Sequence, residues 1–181
     1  PAAAPLPKTG SAEALPKPKS KEDKIVKPDS LEDGRSDMRR LFVDAKLISA
    51  GDFDLCWVTQ DLANPPGRVV DPFIQVLADK NILNIDKSLK ILVEKARLAY
   101  LPLDRYDADA EVALLFPAEI CQRWCVLPFD RLGKSIMVAT ANPYNRTAAQ
   151  QLAAITGKRL VWYLANPMDI SKAIKKIYRL S

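Results

Sequence analysis

The sequence predicts an α+β fold, with N-terminal helical hairpins followed by a small domain ordered α-β-β-α-β-α, its helices packed on a short sheet. Three observations predict it. Between residues 36 and 99 apolar side chains recur at helical spacing. Beyond residue 125, short runs rich in β-branched and aromatic residues appear, from Val126 to Phe129, Ile136 to Thr140 and Leu160 to Leu164. Helix punctuation separates these runs, with Thr156-Gly157 marking an end and Asn166-Pro167 a start.

The elements follow in order. Residues 1–35 are rich in Pro, Ala, Lys and Ser, with scattered apolar residues such as Leu6, Ile25 and Val26. Such a stretch buries too little area to offset its ordering entropy, so it reads as a linker or tail. Ser36 is the expected cap of a first helix that turns Met38, Leu41, Phe42 and Ala45 inward. Ser49 to Asp52 resembles a capping box with Asp in place of Glu, opening a helix with Phe53, Cys56, Trp57 and Gln60. Asn64-Pro65-Pro66-Gly67 is the expected stop. Asp71-Pro72 reads as an N-cap and first-turn pair for a third helix, and Asn84 as the cap of a fourth. The two helix pairs share a short helix, a turn, two apolar residues and a cap, which reads as a duplicated hairpin.

Residues 98–103 form an extended connector, and Asp104 to Asp109 a charged turn. The expected division is a tail over 1–35, a helical subdomain over 36–99 and an α/β subdomain over 100–181. In the last of these, Pro117 opens a helix burying Ile120, Cys121, Trp124 and Cys125. Two strands enclose a loop with Gly133, residues 145–156 form a helix, and a third strand precedes the closing helix. That helix has an apolar face of Ile170, Ala173, Ile174, Ile177 and Tyr178. Its other face carries Lys172, Lys175, Lys176 and Arg179, either a solvated helix face or a surface for a partner.

Composition narrows the chemistry. The 181 residues carry 27 basic and 22 acidic side chains, a net +5 that mixed surface charge explains without nucleic acid. Histidine is absent, which removes the most versatile acid–base group and the commonest metal ligand. Cys56, Cys121 and Cys125 match no zinc spacing and read as small core residues in a reducing compartment. Leu132-Gly133-Lys134-Ser135 lacks the earlier glycine of a phosphate loop: Pro128 stands there, with no amide hydrogen to donate. Asp104, Asp107 and Asp109 lack the glycine and terminal glutamate of a calcium loop. No catalytic residue, cofactor or metal site is assigned.

Several of these residues, taken together, resemble the N-terminal domain of type II secretion ATPases (general secretory pathway protein E) and type IV pilus assembly ATPases. The family's V-L-P-L strand is matched by Val126-Leu127-Pro128-Phe129 and its A-D-P by Ala141-Asn142-Pro143. Its helix ending in T-G is matched by Thr156-Gly157, and the later strand and final helix by Val161, Ala165 and Tyr178. Tyr100 to Asp104 resembles its Y-V-D-L segment. The resemblance covers about residues 38–180. It implies a non-catalytic docking or regulatory domain that couples a motor to an inner-membrane platform protein, at the cytoplasmic face of the bacterial inner membrane. The implied partners are that platform protein and the ATPase core of the same parent, with Lys172, Lys175, Lys176 and Arg179 as the contact surface. Some members bind cyclic di-GMP through duplicated R-L-G-x-x-L motifs and a later glycine. Here those positions read Asp37-Met38-Arg39 with Lys46, and Pro72-Phe73-Ile74 with Asn81, so the resemblance implies a scaffold kept and a nucleotide site lost. A cyclic di-GMP sensor and a basic nucleic-acid module are the alternatives.

Overall fold

The computed structural model describes residues 31–180. The predicted tail lies outside the described residues up to residue 30. Four helices open the fold: α1 (Arg35–Asp44), α2 (Ala50–Cys56), α3 (Phe73–Asp79) and α4 (Ile85–Ala96). They form two hairpins built alike. Lys46 and Asn81 both take left-handed backbone, with φ 60° and 57°. The amides of Leu47 and Ile48 converge on the Phe42 carbonyl at 3.0 and 3.3 Å, and those of Ile82 and Leu83 on Leu77 at 3.0 and 3.4 Å. The Ser49 hydroxyl then accepts from the Asp52 amide at 3.0 Å, as the Asn84 side chain accepts from Lys87 at 2.8 Å. The duplication legible in sequence is therefore a duplication of backbone hydrogen bonding.

Three boundaries in these helices differ from expectation. α1 starts one residue before Ser36, with Gly34 at its N-cap and no side-chain cap. α2 ends at Cys56, well before the Asn-Pro-Pro-Gly stop, so Gln60 lies outside it and Trp57 is its C-cap. Pro72 rather than Asp71 caps α3, again without a side-chain bond.

The second half begins with a 3₁₀ turn at Leu103–Arg105 and a short α5 (Ala110–Ala113), a helix that the expected α-β-β-α-β-α order does not contain. Then follow α6 (Ala118–Trp124), β1 (Leu127–Leu132), β2 (Ser135–Thr140), α7 (Arg146–Thr156), β3 (Arg159–Leu164) and α8 (Pro167–Tyr178). The sheet order is β1-β2-β3. β1 and β2 are antiparallel, and Leu132 pairs with Ser135 across a tight Gly133-Lys134 turn. A register shift between Pro128 and Asp130 accommodates a proline that cannot donate to a ladder. β2 and β3 are parallel, which requires the crossover that α7 supplies. The connector joins this sheet: Leu101 donates to the Leu164 carbonyl at 2.7 Å, and Leu164 donates to Ala99 at 2.9 Å.

The buried core runs without a break from Met38 on α1 to Ile174 on α8. Phe42 meets Phe73 edge-on at 5.4 Å, and Phe129 meets Tyr163 at 5.7 Å. Ile120, expected inside, is only half-buried, whereas Arg123 on the same helix is 5% exposed. Residues 31–34, expected to belong to the tail, lie against α7. The Glu32 amide donates to the Thr147 hydroxyl at 2.9 Å, the Thr147 amide to the Glu32 carbonyl at 3.1 Å, and the Asn142 side chain to the Asp33 carbonyl at 2.8 Å.

Gly34 makes this approach feasible. Its φ is 88°, and an added Cβ would stand 2.9 Å from Asn142 Oδ1 and 3.0 Å from the Tyr144 carbonyl carbon. Gly67, at φ 74°, has nothing within 4 Å of its Cβ position. Gly34→Ala should lower stability by about 2–3 kcal/mol in urea unfolding, combining left-handed strain with the clash, and Gly67→Ala by about 1 kcal/mol. Equal losses at the two positions would contradict the close approach.

Candidate docking face

Helix α8 carries the predicted partner-binding residues, and its position is set from the inside. The Asn166 side chain accepts from the Met168 amide at 2.9 Å, and Pro167 sits in the first turn. Ile170 and Ile174 are fully buried. Near the other end the Tyr178 hydroxyl lies 2.5 Å from the Ala113 carbonyl, 2.9 Å from that of Phe116 and 3.5 Å from the Cys121 sulfur. A single phenol thus ties the helix to the turn between α5 and α6. With those positions committed, Lys172, Lys175, Lys176 and Arg179 are all exposed.

Lys172, Lys176 and Arg179 line one wall of an open groove, and Lys175 lies outside it. The opposite wall is the segment after Leu103, bearing Asp104 and Asp107. Ala108, Leu114, Ala173 and Ile177 add apolar surface, Leu114 being 56% exposed. The acidic wall is itself fixed. The Tyr106 hydroxyl donates to the Asp130 carboxylate, and the Asp109 amide donates to the Phe129 carbonyl at 2.7 Å. Asp169, in the first turn of α8, also lines the groove. Burial holds its carboxyl above the ordinary range and Asp104 adds to this, while Lys172 opposes it. Sequence reasoning found the basic row but read Asp104 and Asp107 only as a solvated turn. The facing of the two walls depends on α8 packing beside residues 103–110, a contact that sequence spacing does not carry.

The other candidate sites resolve geometrically. Gly133-Lys134 is a hairpin turn leading into a strand, so no helix N-terminus follows it to hold a phosphate. Among the described residues no group of acidic or cysteine side chains is arranged to hold a metal. Nor is any helix among them long and apolar enough to cross a membrane. Cys56, Cys121 and Cys125 are all free and buried. Trp57 stacks on Phe53 at 5.5 Å, and Trp124 donates to Gln151 at 2.9 Å, so both indoles serve packing. At the positions of the duplicated nucleotide motif, Met38, Phe73 and Ile74 are core residues, while Lys46 and Asn81 project from the hairpin turns.

Residues 96–181 match the MshEN domain family. Over 76 residues the chain is 30% identical to the type IV pilus assembly ATPase PilB of Myxococcus xanthus, a stretch that is 42% of this chain and 13% of that protein. The fold is similar to that of MshE with cdg, at TM-score 0.54 and 18% identity, covering 76% of this chain and 96% of the other. It is also similar to the N-terminal domain of XpsE, at TM-score 0.57 and 12% identity, covering 81% and 97%. A second crystal form of XpsE gives 0.51 and 13%, over 88% and 98%. Residues 96–181 are thus similar in sequence to MshEN domains. The chain shares the fold of the XpsE N-terminal domain and spans about an eighth of the length of the pilus ATPase it matches.

Removing the hydroxyl in Tyr178→Phe should cost about 1–3 kcal/mol, because buried carbonyls lose their donor. Burial pushes the Cys121 thiol up to about 11, with the Tyr178 hydrogen bond partly opposing it. A raised thiol pKa means stability present below about pH 9 and lost as pH rises toward 11. Thiol alkylation at pH 8 should therefore be slow in the native protein and rapid in urea. Fast native labelling of Cys121 would show that α8 does not seal this region.

Proposed function

We propose that this chain is a non-catalytic docking and regulatory domain of a type II secretion or type IV pilus assembly ATPase, coupling the motor to an inner-membrane platform protein. The observation that carries the reading is the coincidence of the MshEN match at residues 96–181 with the exposed basic row of α8 inside it. The domain's work is mechanical: a rigid helix, anchored by Ile170, Ile174 and Tyr178, presents cations to an acidic surface of the platform protein. The apolar groove beside it supplies the dry centre that a specific interface needs, and the charges form its rim. On this reading the ATPase core belongs to the same parent protein, and the domain works at the cytoplasmic face of the inner membrane.

The test is binding of the purified chain to the cytoplasmic region of the platform protein. Combined Lys172→Glu, Lys176→Glu and Arg179→Glu substitution should weaken it at least about tenfold, with unchanged circular dichroism, and added salt should weaken the unsubstituted pair. Undiminished affinity in the triple variant would remove α8 from the interface. ATP turnover by the purified chain would overturn the non-catalytic assignment.

One observation favours a second reading, cyclic di-GMP sensing: the likeness to MshE with cdg covers 76% of this chain, more than residues 96–181 alone. Against it stand the buried Met38 and Phe73 and the side chains of Lys46 and Asn81, where backbone would have to approach a ligand. Calorimetric titration with cyclic di-GMP should give no binding heat; micromolar affinity would select the sensor reading instead.

A further inference from the structure

Three large apolar side chains left in solvent fall close together in sequence: Leu55 at 65% exposure, Val58 at 54% and Leu62 at 47%. Asp52, Asp54 and Asp61 alternate with them, and Arg35 pairs with Asp54 at 3.1 Å. The segment bearing these residues is held, not loose. From Trp57 to Pro72 there is no helix or strand, a length at which structureless connections are usually functional. Yet Arg123, 5% exposed, donates to the carbonyls of Asp61 at 2.5 Å and Asn64 at 2.9 Å. The Val70 amide donates to Gln122 at 2.8 Å, and the Asp61 carboxylate accepts from Ala63 at 2.9 Å. A buried arginine thus holds the inner side of the loop while Val58 and Leu62 face out, beside Leu55 at the end of α2.

The start of the described chain identifies an occupant. Leu31, Gly34 and Arg35 line the same groove as Thr59, the residue after Val58. The described chain therefore begins at a groove that the loop also lines, through the residue next to Val58. It reads Lys17-Pro-Lys-Ser-Lys-Glu-Asp-Lys-Ile-Val-Lys27, five lysines against two acids with one apolar pair. Ile25 is six residues from Leu31, a span of at most about 20 Å when extended. We propose that the acid-rimmed apolar surface of Leu55, Val58 and Leu62 docks the chain's own basic segment Lys17–Lys27. Ile25 and Val26 meet the apolar side chains, and the lysines meet Asp52, Asp54 and Asp61. This surface is separate from the basic row of α8, so the assignment stands or falls independently of platform binding. Docking shortens the reach of everything N-terminal to the segment, and release extends it.

The experiment uses the full chain with Ser20→Cys carrying a nitroxide. Cys56, Cys121 and Cys125 are each at most 1% exposed and stay unlabelled. At low salt the methyl signals of Leu55, Val58 and Leu62 should lose at least about half their intensity and recover near 0.5 M salt, where screening acts within a few ångströms. Leu132 and Ile155, exposed at 44% and 42%, serve as controls. No attenuation, or equal attenuation at the controls, overturns the proposal. So does attenuation that appears only when a separate labelled copy is added. Independently, Leu55→Ser with Val58→Ser should speed tryptic cleavage after Lys21 and Lys24 several-fold; an unchanged rate overturns it as well.

Discussion

Leu164 uses both of its backbone groups on the connector from the helical half, accepting from Leu101 and donating to Ala99. Buried backbone groups require such partners, and this end of β3 would otherwise be a bare edge. The pairing fixes where α4 leaves off and where residues 103–109 begin. It therefore places Asp104 and Asp107 opposite α8, which starts directly after β3. The facing acidic and basic walls are a consequence of that one backbone exchange, together with the Tyr178 hydroxyl at the far end of the helix.

Sequence reading succeeded where a local rule decides the outcome. Ser49, Asn84 and Asn166 each accept from a backbone amide inside the helix they precede. Gly157 ends α7 in left-handed backbone at φ 64°. The strands were found, with ends shifted by one to three residues, because β-branched and aromatic runs are short and bounded. Reading failed where distant contacts decide. Ser36 is a good cap by type, but the chain enters α1 through Gly34, because Asn142 and Tyr144 press against that position. α2 stops at Cys56 although no breaker follows for several residues. The loop beyond it is held instead by the Arg123 guanidinium, through the carbonyls of Asp61 and Asn64. Nothing in the spacing of charges marks Arg123 as buried.

That arginine illustrates how charge burial is made tolerable. Its ion partner Glu119 is 55% exposed, so the pair itself contributes little. The compensation comes from two carbonyls of the loop, which satisfy donors that would otherwise be stranded at several kcal/mol. The dependence is mutual: the loop has no ladder of its own, and the guanidinium has no solvent. A long segment without regular structure is thereby held in one conformation from its inner side. Its outward apolar side chains become a defined surface instead of an averaged one.

The duplicated hairpin supplies the sharpest argument about the nucleotide reading. Both turns demand left-handed backbone, and both place there a residue with a side chain, Lys46 and Asn81. For Lys46 this costs roughly 1 kcal/mol relative to glycine. Asparagine tolerates the region better, because its short side chain bonds locally. A glycine at such a turn serves two ends, backbone freedom and open space for a ligand. Here the fold bears the conformational cost, and the space is occupied. The turn geometry persists because the converging bonds on Phe42 and Leu77 need it.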